Sequence, residues 1–415
     1  MSSLDQLTHL LDDLRIADTL DFWTTQWEES QDHFPRSPFP NREQVAAQAK
    51  KAGLPPDLCD AVVDGTRLFS EIPALMRLAW HVHYRLFVNK IEFYPRWPPL
   101  PDTLPDTARL FYVYPLLSQT PAILATHTRL RVDPVVSRDT LSDLHRWMED
   151  YHRSAGYTGL DPHQVSWLAL SFGGKLFQLG RLQFEFSVLR YDFNAYRRKT
   201  DGTIAVFAGP EMRFRADGSS VSRDETHEVW TTSFEADVDA IRGYRVCPTG
   251  FVETERTTLV SSQWERVLKK DDSTIAVHIP ATGPMDFEAC GRSFQQAATF
   301  FARTFPQFHP HAYTCASWLL DPRLPEFADP ESNIVRFLKE WYLLPYPQAG
   351  EREALRRIFG VTERPSDPET FPRDTSLQRQ TIAFLQNGGN LSAGLGLQFP
   401  HNMSWGCQVY QSQNG

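Results

Sequence analysis

The chain has 415 residues, 41% of them hydrophobic and 13% aromatic, with 42 Lys and Arg against 51 Asp and Glu and a formal net charge of −9. That length allows two domains with sizeable cores, and 22% charged residues is a globular rather than a disordered composition. The acidic balance, with no basic run longer than Arg197-Arg198-Lys199, argues against a nucleic-acid partner, which needs a basic face.

No uncharged apolar run is long enough to span a bilayer, so no membrane partner is expected. Met1-Ser-Ser-Leu-Asp-Gln6 has no basic stretch leading into an apolar core, so no secretory leader is expected. The five cysteines, Cys59, Cys247, Cys290, Cys315 and Cys407, are odd in number and scattered, with neither a CxxC pair nor zinc spacing. They point to a reduced, cytoplasmic protein without a metal.

Leu4, Leu7, Leu10, Leu11 and Leu14 predict an amphipathic first helix. Helices are also predicted over residues 42–52, 56–69 and 72–90. In the last of these His81 and His83 are two apart, on different faces, and do not chelate one metal. Tyr94 to Pro105 holds five prolines in 12 residues, which neither a helix nor a central strand tolerates. It sets the expected boundary between a helical domain over 1–105 and a second domain over 106–415.

Leu110 to Leu117 is a short apolar run that reads as a buried strand. Helices follow over 139–156 and 161–172, the second opened by Asp161-Pro162. Leu176 to Phe186 reads as one long strand bent at Gly180. Residues 190–270 are polar, with turn signals at Thr200-Asp-Gly202 and Ala216-Asp-Gly218, and read as a β-rich insertion. Ile275, Val277 and Ile279 then alternate as in a strand. Pro280 and Pro284 stop it, with Gly283 between them for a tight turn. Asp286 caps a helix whose Phe287, Cys290, Phe294, Ala297, Phe301 and Phe305 form one apolar face. A strand over 313–320, a helix opened by Asp329-Pro-Glu-Ser-Asn-Ile334 with Tyr342 at its far end, helices over 351–359 and 375–387, and a last strand over 391–399 complete the chain.

A strand, a Gly/Pro turn and a helix N-terminus form a common place for chemistry, because free backbone N–H groups point into the crevice there. His278 ends that strand, as a catalyst or a hydrogen-bonded core histidine. Glu185 shares a strand face with Gln183, opposite Phe184 and Phe186, and reads as a general base or as a carboxylate paired with Arg181. Cys315 shares a face with Tyr313 and Ser317. It reads as a nucleophile if His278 lies on the neighbouring strand, or as a small residue packed in the core.

Five motifs stand in order along the chain: Leu179-Gly-Arg-Leu-Gln-Phe-Glu185, His278-Ile-Pro280, Ser293 to Phe301, Cys315 to Pro322 and Ser332-Asn-Ile-Val-Arg-Phe337. Together they resemble a bacterial N-acyltransferase family that pairs a helical N-terminal domain with a GNAT-like C-terminal domain. The element order from residue 106 is that of the GNAT fold as well. The resemblance implies an α+β chain: a helical N-terminal domain followed by a GNAT-like mixed-sheet domain with the β-rich insertion at 190–270. It implies transfer of an acyl group from an acyl-CoA co-substrate, or from a thioester on an acyl carrier protein, to an amine of a small molecule or peptide. Some members belong to natural-product biosynthesis. In that setting Glu185, His278 and Cys315 are the catalytic candidates, and Tyr342 stands in the rough place of the general acid. Pro280, Gly283, Ser317 and Asn333 are the candidates for holding the donor, Asn333 against the pantetheine arm.

One departure stands out. Enzymes of that fold wrap the coenzyme A pyrophosphate with an Arg/Gln-x-x-Gly-x-Gly/Ala loop, where this chain has Pro280-Ala-Thr-Gly-Pro-Met-Asp286. Pro284 removes a donor, and Asp286 and Glu288 put negative charge where the pyrophosphate would sit. Two other readings therefore stay open: a hydrolase using Cys315 with His278, or Glu185, and a binding protein on an inactive acyltransferase fold.

Overall fold

The leucine spacing near the start builds what it predicts: the helix Ser3–Asp13 buries Leu7, Leu10 and Leu11. The computed structural model describes residues 3–36, 39–89, 96–221, 229–346, 350–365, 367 and 370–411. Its internal contacts divide it into two units, Met1–Leu179 and Gly180–Gly415.

Among its described residues the first unit is helical up to its final strand. Asn41 opens the helix Arg42–Lys51 by accepting the amide of Gln44. The helix expected over 56–69 is two, Pro56–Gly65 and Arg67–Glu71, broken at Thr66. The helix Ala74–His83 carries His81 into an aromatic cluster, 5.1 Å from the Trp27 ring, where its Nδ1 meets the Ser30 hydroxyl at 2.7 Å.

Two expectations fail here. The apolar run at 110–117 is helical, a 3₁₀ turn Asp106–Leu110 followed by the helix Val113–Ser118. A run buried on all sides has no period, so it does not tell strand from helix, and here its neighbours are helices. The proline-rich stretch is not a domain boundary. Trp97 is buried and donates to Ser166 at 3.1 Å, and Tyr112 donates to the Pro98 carbonyl. The prolines thus lie along the helical core instead of leaving it, and the division falls after residue 179. Tyr94 and Pro95 lie outside the described residues.

Among the described residues fourteen strands follow one another along the chain. They are β1 (Leu176–Leu179), which closes the first unit, then β2 (Leu182–Val188), β3 (Phe193–Arg198), β4 (Ile204–Ala208), β5 (Arg213–Arg215), β6 (Val229–Thr231), β7 (Phe234–Ala236), β8 (Ala240–Val246), β9 (Val252–Val260), β10 (Trp264–Leu268), β11 (Ser273–His278), β12 (Ala312–Ser317), β13 (Tyr342–Pro345) and β14 (Gly394–Gln398). The run expected as one bent strand is two, separated by Gly180 at φ +64° and Arg181.

The second unit orders its main strands β2-β11-β12-β14-β13. Only β11 and β12 are parallel; the other neighbours in that path are antiparallel. The expected insertion builds a second sheet, β10-β3-β4-β8-β7, with β9 on β8 and a small β5–β6 ribbon. The helix Phe287–Thr304 covers one face of the main sheet. Phe184 and Tyr313 meet Phe294 at 5.7 and 5.3 Å, and Phe186 meets Phe301 at 5.2 Å. On the other face Tyr342, Leu344, Leu395 and Leu397 share a core with Phe193, Val206 and Val246 of the second sheet. Two further helices, Glu351–Phe359 and Ser376–Gln386, stand near their expected places, the second opened by a Thr375/Gln378 capping box. Among the described residues no helix is long and apolar enough to cross a membrane.

Candidate active site

The site is set by which face of a strand each side chain leaves. In the β2–β11 ladder Phe186 pairs with Ile275 and Phe184 with Val277, and these aromatics point to the long helix. Strand alternation therefore sends Gln183, Glu185, Thr274, Ala276 and His278 to the opposite face. Glu185 pairs with Ala276 and Gln183 with His278, so Glu185 and His278 are diagonal neighbours. Glu185 Oε2 lies 2.9 Å from His278 Nε2, with the two side chains 18% and 30% exposed.

The β11–β12 ladder is short. It runs from Thr274–Ala312 to Ala276–Thr314 and stops. The outer ladders go on, to His278–Gln183 on one side and Ser317–Gly394 on the other. Val277 and His278 thus part from Cys315, Ala316 and Ser317, and the Glu185–His278 pair stands beside that parting.

Cys315 goes to the other face. Tyr313 packs on Phe294 of the long helix, and Cys315, two residues on, points the same way. It is 1% exposed, and burial, with Cys290 nearby, raises its thiol well above the ordinary range. An expected Cys315–His278 nucleophile pair is therefore not formed: the sheet lies between the two side chains, and a buried thiol with a raised pKa is a poor nucleophile.

Tyr342 is also misplaced by the sequence reading. It opens β13 rather than ending a helix, and it is fully buried. Its hydroxyl donates to the Val246 carbonyl, and burial raises its pKa beyond the usual tyrosine range. It is a core tyrosine whose hydroxyl is bonded inside the fold. Ser317 ends β12, where its hydroxyl accepts the Leu319 amide at 3.1 Å. Asn333 is exposed as the first residue of the helix Asn333–Lys339, and the cap is Ser332, which accepts from Val335 at 3.3 Å.

Pro280 and Gly283 lie in the loop between β11 and the long helix, and Arg181 holds that loop. Its guanidinium donates to the carbonyls of Pro280 at 2.9 Å, Gly283 at 3.1 Å and Pro284 at 3.3 Å. The Arg181 amide also donates to Ser293 on the helix at 2.8 Å. Thr282 gives its amide back to Pro280 at 2.8 Å, and Asp286 caps the helix by accepting from Ala289 at 2.6 Å. The loop presents carbonyls inward to one cation. The sequence alone offers Arg181 as a partner for Glu185, not for this loop. The signal in the sequence is the loop's composition: two prolines remove amide donors from a short turn and leave it rich in carbonyls, which a guanidinium is suited to collect.

Two cavities among the described residues lie elsewhere. One of about 560 Å³, in the first unit, is lined by Arg15, Leu100, Arg109 and Tyr151 among others. One of about 700 Å³, in the second unit, is lined by Ile275, Phe301, Tyr313 and Phe399 among others, and neither is lined by Glu185 or His278. Among the described residues no group of three or more His, Cys, Asp or Glu is placed to hold a metal ion.

Residues 43–174 match the N-acyltransferase N-terminal domain, and residues 176–398 match the GNAT-like C-terminal domain. No curated protein sequence matches the chain. Solved structures do. An acyltransferase in complex with decanoyl-CoA shares 22% identity and a TM-score of 0.65, covering 96% of this chain and 100% of that one. An acyltransferase in complex with decanoyl-CoA and teicoplanin shares 21% identity and a TM-score of 0.65, over 94% of this chain and 98% of that one. A mutant acyltransferase in complex with octanoyl-CoA shares 21% identity and a TM-score of 0.64, over 94% and 99%. At these identities the likeness is one of fold.

Proposed function

Because the chain belongs to the acyltransferase family that joins an N-acyltransferase N-terminal domain to a GNAT-like C-terminal domain, we propose that it moves an acyl group from an acyl-CoA to an amine of a small molecule or peptide. The observation that carries this reading is the Glu185–His278 pair beside the parting of β11 and β12. Acyltransferases of the same fold hold octanoyl-CoA and decanoyl-CoA, which supports a donor with a chain of that order. One holds teicoplanin as well, which supports an acceptor from natural-product chemistry.

The chemistry assigns each group a task. The amine must lose a proton as its nitrogen attacks the thioester carbon and the C–S bond breaks. An ionised Glu185 accepts only, so His278 donates Nε2–H to it and the imidazole lone pair sits on Nδ1. In this arrangement His278 takes the ammonium proton, and Glu185 fixes the tautomer and stabilises the imidazolium that forms. The coenzyme A thiolate leaves from the gap between β11 and β12, where strand ends without ladder partners offer hydrogen bonds to an amide-bearing arm. Cys315, buried on the far face, takes no part, which disfavours a thiol hydrolase.

The first test is a melting-temperature titration with coenzyme A, acetyl-CoA and decanoyl-CoA, since a ligand of the folded form raises the melting temperature. A concentration-dependent shift with decanoyl-CoA is expected. No shift with any of them on folded protein overturns the coenzyme A donor. The second is Glu185→Gln and His278→Ala in an amine acylation assay. Each is expected to lower kcat by about 10²- to 10³-fold with the decanoyl-CoA shift retained, and the double variant to be little worse than the poorer single one. Losses that multiply would mean that the two residues do not act as a pair.

A further inference from the structure

Gln183 stands directly across the β2–β11 ladder from His278. The residue is 2% exposed, its side chain lies on the face that carries Glu185, and its Nε2 has no hydrogen-bond partner among the described residues. Thr274, fully buried on the same face of β11, also has an unpartnered hydroxyl among the described residues. Two orphaned polar groups thus bracket the Glu185–His278 pair along one sheet face. A buried donor without an acceptor has given up its hydration for nothing, and folds retain few of them. An apolar residue of similar size would serve packing at least as well. A group that a ligand satisfies accounts for the orphan.

The order of strands says which ligand. The gap opens between β11 and β12, and His278 borders it on β11. Gln183 lies on β2, one strand spacing of about 5 Å beyond His278 and on the side away from the gap. A thioester carbonyl in the gap lies against β11 and β12. An amine that approaches His278 from the side away from the gap comes within one strand spacing of Gln183. We infer that Gln183 binds the acceptor: its Nε2–H donates to an oxygen next to the attacking amine. The acceptor class is then an amine with a hydrogen-bond-accepting oxygen close to the nitrogen, as in a 2-amino alcohol or an α-amino carbonyl compound. The inference rests on the acyl-transfer reading for the task of His278, while the orphaned amide stands independently of it.

Gln183→Met keeps the volume and removes the donor. Its probes are ethanolamine and glycinamide, which carry the oxygen, and propylamine, which does not. Each is titrated by ligand-detected NMR and assayed as an acceptor with decanoyl-CoA. The wild type is expected to prefer ethanolamine or glycinamide, and Gln183→Met to weaken the preferred one by roughly tenfold while leaving propylamine unchanged. The one that loses identifies the alcohol or the carbonyl. The melting temperature is expected to hold or rise, and the decanoyl-CoA shift to stay. Equal losses for all three amines, no wild-type preference, or a lower melting temperature without any change in selectivity overturns the inference and makes Gln183 a packing residue. An enzyme that acylates no amine but loses ethanolamine or glycinamide binding in Gln183→Met sinks the acyl-transfer reading and leaves the acceptor site standing. Gln183→Glu, which trades the donor for an acceptor, is expected to reject the oxygen-bearing amines, and supplies the same test should Gln183→Met not fold.

Discussion

His278 and Cys315 stand at the ends of adjacent parallel strands but on opposite faces of the sheet. His278 meets Glu185 at 2.9 Å, whereas Cys315 points to the long helix beside Cys290. Cys315→Ala is therefore expected to keep kcat within about twofold and to cost about 1–2 kcal/mol of stability through the small cavity it leaves. An acylation assay beside a denaturant melt checks this. A well-folded Cys315→Ala without activity would bring the nucleophile back.

Arg181 acts through the loop it holds. Arg181→Met is expected to cost about 1 kcal/mol and to raise KM for decanoyl-CoA about five- to tenfold with a smaller change in kcat. Arg181→Lys keeps the charge without the planar fork and should fall between. Steady-state kinetics at varied donor separates the two roles. A lower melting temperature with KM unchanged would leave Arg181 a purely structural clamp.

Tyr342 holds the Val246 carbonyl inside the core shared by the two sheets. Tyr342→Phe leaves that buried carbonyl without its donor and is expected to destabilise by about 1–2 kcal/mol. Turnover per folded molecule should not change, and neither should its pH profile on the alkaline side. A selective loss of kcat would show that the hydroxyl reaches the reaction.

The first unit should be the acid-sensitive one. Burial holds His81 down to about 3, with Arg85 adding to the effect. Burial likewise holds His83 to about 4, against the opposing bond to the Pro115 carbonyl, and His127 to about 4. The ordinary value is 6.5, so between pH 6.5 and about 4 the unfolded chain binds protons that the folded one does not. Stability then falls as the pH drops through that window, by up to about 1.4 kcal/mol per pH unit for each histidine, and flattens below the folded values. Urea melts followed by tryptophan fluorescence should show a lower midpoint at pH 5 than at pH 7, and His127→Gln should reduce the difference. Equal midpoints would contradict the buried neutral state.

What the sequence disclosed follows from how local each signal is. The strand, turn and helix around His278 are legible because alternation, proline and an Asp cap act within a few residues. The face of Glu185 is legible by parity. Its meeting with His278 is not, because a contact across 93 residues needs the register of β2 on β11. Parity also tied Cys315 to Tyr313, but only the packing of Phe294 on Tyr313 tells which face is which. The helical run at 110–117 escaped because a fully buried segment has no polar side to set its period. The helix expected to reach Tyr342 stops at Lys339, and Tyr342 opens a strand.

The Arg181 clamp also frees the loop it grips. The guanidinium grips the loop through three main-chain oxygens, and the side chains of Ala281 and Thr282 are exposed. The shape of residues 280–284 is thus specified from outside the segment, by one residue about a hundred positions earlier in the chain. Randomising positions 281 and 282 should retain fold and melting temperature across a library, which makes this turn a place where specificity can be evolved with little risk to the scaffold.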